Sequence, residues 1–94
     1  MDRKAFIDKM DAQLKQLDAE IEKLEAKAEE KEADNRIEYN KKIEELQNKK
    51  EEARKKLDDA KNSSEEAWEE LKEGAEKALG NITNSFKDAF NKFK

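Results

Sequence analysis

The chain contains no proline, and its two glycines, Gly74 and Gly80, both lie in its last quarter. Proline removes a backbone donor and clashes with the preceding helical turn, and glycine costs a helix interior about 1 kcal/mol relative to alanine. Nothing before Gly74 is therefore built to stop a helix. An apolar seam at three-four spacing runs from Ile7 almost to the C-terminus. Long helices that each bury one stripe against a neighbour satisfy both features.

Charged residues make up 49% of the chain and hydrophobic ones 34%, twelve of which are alanine. That is thin material for the core of a thick globule, but it matches the composition of long helices and coiled coils. High charge and low hydropathy would also suit a disordered chain. The regular apolar phase argues against disorder. The length suits a single domain.

The first segment reads as heptads. Ile7, Leu14, Ile21, Ala28 and Asn35 take one core position, and Met10, Leu17, Leu24 and Lys31 the other. Between Asn35 and Ile43 the phase slips by one residue. A second frame then holds through Tyr39, Ile43, Leu46, Lys50, Ala53, Leu57, Ala60, Ser64, Ala67 and Leu71. A slip of this kind can be absorbed by altered winding of one helix, or it can mark a turn at Ala33-Asp34-Asn35-Arg36. Good helix formers on both sides favour continuity.

Asn62-Ser63-Ser64-Glu65-Glu66 is a stronger candidate break. Ser63 with Glu66 three residues on matches a capping box, and Asn and Ser compete with the helical backbone. Beyond it the period becomes eleven: Ala67-Trp68, Ala78-Leu79 and Ala89-Phe90 recur, as do Leu71, Ile82 and Phe93. Eleven residues over three turns keeps a stripe nearly straight. Trp68, Leu71, Leu79, Ile82, Phe86, Phe90 and Phe93 share this face. Burying it is worth on the order of 10–20 kcal/mol, so it needs a cover. The chain itself can supply one, with the tail antiparallel to residues 32–61. A second subunit and a lipid surface are the alternatives, and the lipid surface ranks below the others because the tail is acidic around Trp68.

The chemistry within reach is narrow. The chain has no His and no Cys, so the commonest general base, nitrogen metal ligand and thiol nucleophile are missing. Ser63, Thr83, Ser64 and Ser85 have no His to activate them. Glu25 and Glu29 stand one turn apart but read as a solvated face. Acids and bases at four-residue spacing, such as Asp11/Lys15 and Glu45/Lys49, tune the surface by about 0.2–0.5 kcal/mol each. Net charge is −4, from 21 bases and 25 acids well interspersed, which offers no basic face for nucleic acid. The opening residues hold no apolar run suited to a signal peptide. No segment approaches a transmembrane span. The expectation is a cytoplasmic protein with no catalytic site, metal, cofactor or small-molecule substrate.

The opening MDRKAFIDKMDAQLKQLDAEIEKLEAKAEE, the central IEYNKKIEELQNKKEEARKKLDDAK and the tail segment SSEEAWEELKEGAEKAL resemble small bacterial coiled-coil domain-containing proteins. That resemblance covers nearly the whole chain and implies a cytoplasmic helical protein without an assigned activity or functional residues. The eleven-residue tail is also similar in style to apolipoprotein and late-embryogenesis-abundant helices.

The predicted fold is all-α. Residues 1–61 form a heptad coiled-coil helix of roughly 90 Å, and residues 62–94 an amphipathic helix that folds back on 32–61. The interaction seam is Ile7, Met10, Leu14, Leu17, Ile21, Leu24, Tyr39, Ile43, Leu46 and Leu57, expected to pair with further copies of the chain or with another helical protein. The alternative fold is a three-helix bundle with turns near 33–36 and 61–64. The expected function is that of a non-enzymatic structural or interaction protein. The alternative is a peripheral lipid-binding or stress-protective helix.

Overall fold

A computed structural model describes residues 3–92. Three α-helices account for nearly all of them: α1 (Arg3–Glu29), α2 (Ala33–Lys61) and α3 (Glu65–Lys92). They run up, down and up in a bundle measuring 51 × 19 × 17 Å. The all-α class follows from the composition. Continuity from residue 3 to 61 does not hold, and the three-helix arrangement takes its place.

The break lies at Glu30–Glu32, just before the Ala33–Arg36 position that the phase slip suggested. Its mechanism explains why no breaker residue marks it. The last turn of α1 tightens, with Glu30 N–H donating to Lys27 O and Lys31 N–H to Ala28 O, each at 3.1 Å. Glu32 then adopts an extended conformation (φ −67°, ψ 161°), and Arg36 N–H starts the next helix on Glu32 O at 2.8 Å. No described residue has positive φ, so this reversal needs no glycine. Arg36 also donates to Lys31 O at 3.1 Å and Glu29 O at 3.4 Å, satisfying carbonyls that the end of α1 leaves open. The one-residue slip is thus the seam of a new helix starting in its own phase. Asn35 and Lys31, assigned to the core by the heptad count, are exposed at this turn.

The second break falls at residues 62–64, where Asn and Ser predicted it. Its cap is shifted by one residue. Ser64, not Ser63, accepts the Ala67 N–H at 3.3 Å. That leaves Ala67 where a capping box needs Glu. Ser63 instead donates to Ala60 O at 2.7 Å. Past this cap, α3 continues unbroken through both Gly74 and Gly80.

The core follows the seam. Toward one end Phe6, Met10 and Leu14 of α1 meet Ala53 and Leu57 of α2 and Ala75 and Ala78 of α3. Toward the other, Ile21, Leu24 and Ala28 meet Tyr39, Ile43 and Leu46, with Ile82, Phe86 and Ala89. Leu17 and Leu79 touch both groups. Leu14, Leu46 and Ile82 are fully buried, each contributing about 1.5–3 kcal/mol relative to exposure. Alanines at Ala53, Ala60, Ala75 and Ala89, all fully buried, let helix backbones approach closely.

Polar contacts set the α1–α2 register. Asp11 pairs with Arg54 at 2.7 Å and Asp18 with Lys50 at 2.6 Å, and Gln47 donates to Glu25 at 3.0 Å. The three acids lie seven residues apart on α1, so sliding α2 by one turn would break every rung. Asp11 therefore turns to Arg54 across the bundle.

Candidate functional site

The residues expected to form an exposed seam mostly face inward. Met10, Leu14, Ile21, Leu24, Tyr39, Ile43, Leu46 and Leu57 are buried, and Ile7 and Leu17 half-buried. Of the tail face, Ile82 and Phe86 are buried and Trp68, Leu71 and Leu79 half-buried, while Phe90 is 38% exposed. Phe93 lies outside the described residues. The cover for the tail stripe is thus supplied within the chain, largely by α2.

One face is left less closed than the others. Helix α2 packs closely against both neighbours, whereas the backbones of α1 and α3 barely approach. Between them lie two clefts of about 470 and 280 Å³. The larger is floored by Phe6, Met10 and Leu79 and edged by Lys9, Glu76 and Gly80. The smaller is floored by Leu17, Phe86 and Phe90 and edged by Gln16 and Glu20. Gln13 and Thr83 line both. The Thr83 hydroxyl donates to Leu79 O at 2.9 Å.

The end of the bundle that holds the α2–α3 turn is locked. The Arg3 guanidinium donates to Ala60 O at 3.0 Å, to Lys61 O at 3.1 Å and to both oxygens of Ser63. A cation at a helix C-terminus meets the negative end of the backbone dipole. The same group lies 4.8 Å from the Trp68 ring centroid. Phe6 meets Trp68 edge-on, with centroids 5.4 Å apart, and Lys72 sits 5.5 Å from the Phe6 ring. Phe6 was missed by the heptad count because it precedes the Ile7 position. Its four-residue spacing to Met10 and Leu14 is the signal that marks it as core.

A second pairing that spacing could not reveal joins residues 36 apart. Lys49 Nζ donates to the buried Ser85 hydroxyl at 2.6 Å. A lysine can activate a serine only as a neutral base. Here Lys49 also pairs with Glu45 at 3.3 Å. The Glu45 carboxyl is held below its ordinary value by hydrogen bonds from Lys42 first and Lys49 second. Lys49 thus bridges Glu45 on its own helix and Ser85 on α3, and Ser85 is only 5% exposed. The contact anchors α2 to α3.

Among the described residues no group of three or more His, Cys, Asp or Glu is placed to hold a metal ion. No buried side-chain nitrogen or oxygen there lacks a partner. No described helix is long and apolar enough to cross a membrane. No family model matches the chain, and neither does any curated protein or solved structure.

Proposed function

We propose that the chain is a non-enzymatic interaction module that presents its α1–α3 face to another helical surface, with the cytoplasm as its working place. The observation that carries this reading is the pair of adjoining clefts, joined at Gln13 and Thr83, with Phe90 exposed and Leu17 and Leu79 half-covered. A shallow apolar floor with a polar rim is the anatomy of a protein interface. A helix laid along a groove is a recurrent way of filling one.

The test is site-specific photo-cross-linking in cells. A photoreactive residue at Gln13 or Thr83 is expected to yield discrete protein adducts. The same residue on the outer face of α2, at Glu44 or Lys55, is expected to yield none. Equal adducts at all four positions, or none at any, would contradict the reading.

A second reading, lipid-surface binding, draws support from Phe90 lying between Lys87 and Lys92 at the end of α3. It carries an added cost, since Ile82 and Phe86 would have to leave the core to reach a bilayer. Co-sedimentation with anionic vesicles that is abolished by Phe90→Asp would favour it over the interaction module.

A further inference from the structure

Two stripes border the α1–α3 groove. On α1 the stripe is Lys9, Gln13, Gln16 and Glu20, and on α3 it is Glu76, Gly80 and Thr83, continued one turn beyond the cleft linings by Lys87. Both are spaced four, three, four, so each keeps to one side of its helix. Each has a charge at either end and uncharged residues between, and the polarity is opposite on the two helices. Reversing either stripe onto a copy of itself sets Lys9 against Glu20, Gln13 against Gln16, Glu76 against Lys87 and Gly80 against Thr83. Residue i meets j and j meets i, which is the condition for a two-fold contact. Because Gln13 and Thr83 line both clefts, the two stripes overlap along the groove.

We propose that a second copy of this chain docks antiparallel on the α1–α3 face. The inference rests on the interaction-module reading and names its partner. Three further observations support it. Lys9 and Lys87 make no ion pair among the described residues, Glu20 reaches only the exposed Lys23 at 3.6 Å, and Glu76 only Lys72 at 4.0 Å. The four charges are thus weakly used within one chain. Gly80 is a helix-weakening residue at the centre of the α3 stripe, yet a Cβ there would meet nothing within 4 Å. Packing inside the chain does not call for glycine at this point, whereas a crossing helix opposite Thr83 does. The bundle, 51 × 19 × 17 Å overall, also has sides long enough to supply the roughly 800 Å² per partner of a standard stable interface. Antiparallel rather than parallel docking follows from α1 and α3 pointing the same way, so that reversal sets opposed helix dipoles side by side. It also puts Gly80 against the small Thr83, where parallel docking would put it against Gln13.

The experiment is sedimentation equilibrium on the purified full chain over a wide concentration range, with circular dichroism to check that every variant folds. The wild-type chain is expected to dimerise reversibly. Lys9→Glu should raise the dimer dissociation constant about tenfold, since two symmetric pairs are lost. Adding Glu20→Lys in the same chain should restore it. Gly80→Ala should raise the melting temperature and weaken the dimer, whereas Gly74→Ala, which also meets nothing within 4 Å but lies off the stripe, should raise the melting temperature alone. A chain that stays monomeric at every concentration would overturn the proposal, as would a dimer indifferent to Lys9→Glu. Rescue of Lys9→Glu by Glu76→Lys in place of Glu20→Lys would overturn the antiparallel arrangement. A monomer whose Gln13 and Thr83 still cross-link to a different protein would remove the second copy and leave the interaction module standing. Loss of those adducts as well would remove both.

Discussion

Arg3 and Trp68 meet at the closed end of the bundle, the guanidinium carbon 4.8 Å from the indole centroid. Sixty-five residues separate them in sequence. Their contact requires α1 to begin where α2 ends and α3 begins, so it exists only if the chain reverses twice. Arg3 also closes the carbonyls of Ala60 and Lys61. One side chain thereby ties three helices.

Removing it should be costly for a partly exposed residue. Arg3→Ala is expected to destabilise the fold by about 1–2 kcal/mol, from the lost dipole, hydrogen-bond and ring contacts. Trp68 fluorescence should shift to the red as the ring gains water. Chemical denaturation followed by fluorescence reads both changes, and an unchanged midpoint would show that the lock contributes nothing.

Leu46 and Ile37 offer a contrast on a single helix. Leu46 is fully buried and Ile37 is 54% exposed. Leu46→Ala should cost about 2–5 kcal/mol, and Ile37→Ala should stay within about 0.5 kcal/mol. Equal losses in urea unfolding would mean that the two helix faces are wrongly assigned.

How far these features could be read in advance depends on how local their causes are. The inward faces of α1 and α3 were legible, since periodicity alone places Met10, Leu14, Ile21, Ile82 and Phe86. The 62–64 break was legible because Asn62, Ser63 and Ser64 compete chemically with helical hydrogen bonding. The Glu30–Glu32 break was not, because Glu and Lys are good helix formers and the turn keeps every φ negative. It is stabilised by what the reversal brings together, including Arg36 on the end of α1 and the ladder from Asp11 to Gln47. The phase slip before Ile43 and the turn-tolerant Asp34-Asn35 were its traces in the sequence, and they carried the three-helix alternative. The clefts were hidden for the same reason, since Gln13 and Thr83 become neighbours only through both turns.

The ladder itself can be tested by inversion. Asp11→Arg alone, facing Arg54 and thus like charge, should lose about 0.2–1 kcal/mol at low salt. Adding Arg54→Asp should recover most of that loss, and high salt should shrink both effects. A double variant no better than the single would show that the pair does not set register.

Glu45 supplies a pH signature. Lys42, at 3.1 Å, and Lys49, at 3.3 Å, favour its charged form and lower its folded pKa. Its contribution is therefore present above the ordinary carboxylate range and is lost as pH falls through the folded value. Exposure keeps it to a few tenths of a kcal/mol. Glu45→Gln should be slightly less stable than wild type near neutrality and equal to it in acid, where the wild-type carboxyl is also neutral. A gap that widened toward acid would contradict the assignment.

The double reversal itself is best tested by pulsed electron spin resonance on a chain labelled at Lys4 and Lys61, diluted with excess unlabelled protein so that only distances within one chain are read. The bundle places these positions at the same closed end, beside the Arg3 contacts with Ala60 and Lys61, and predicts one short, narrow distance. A continuous helix would separate them by roughly 85 Å, and a distribution near that value would contradict the three-helix fold and the α1–α3 face built on it.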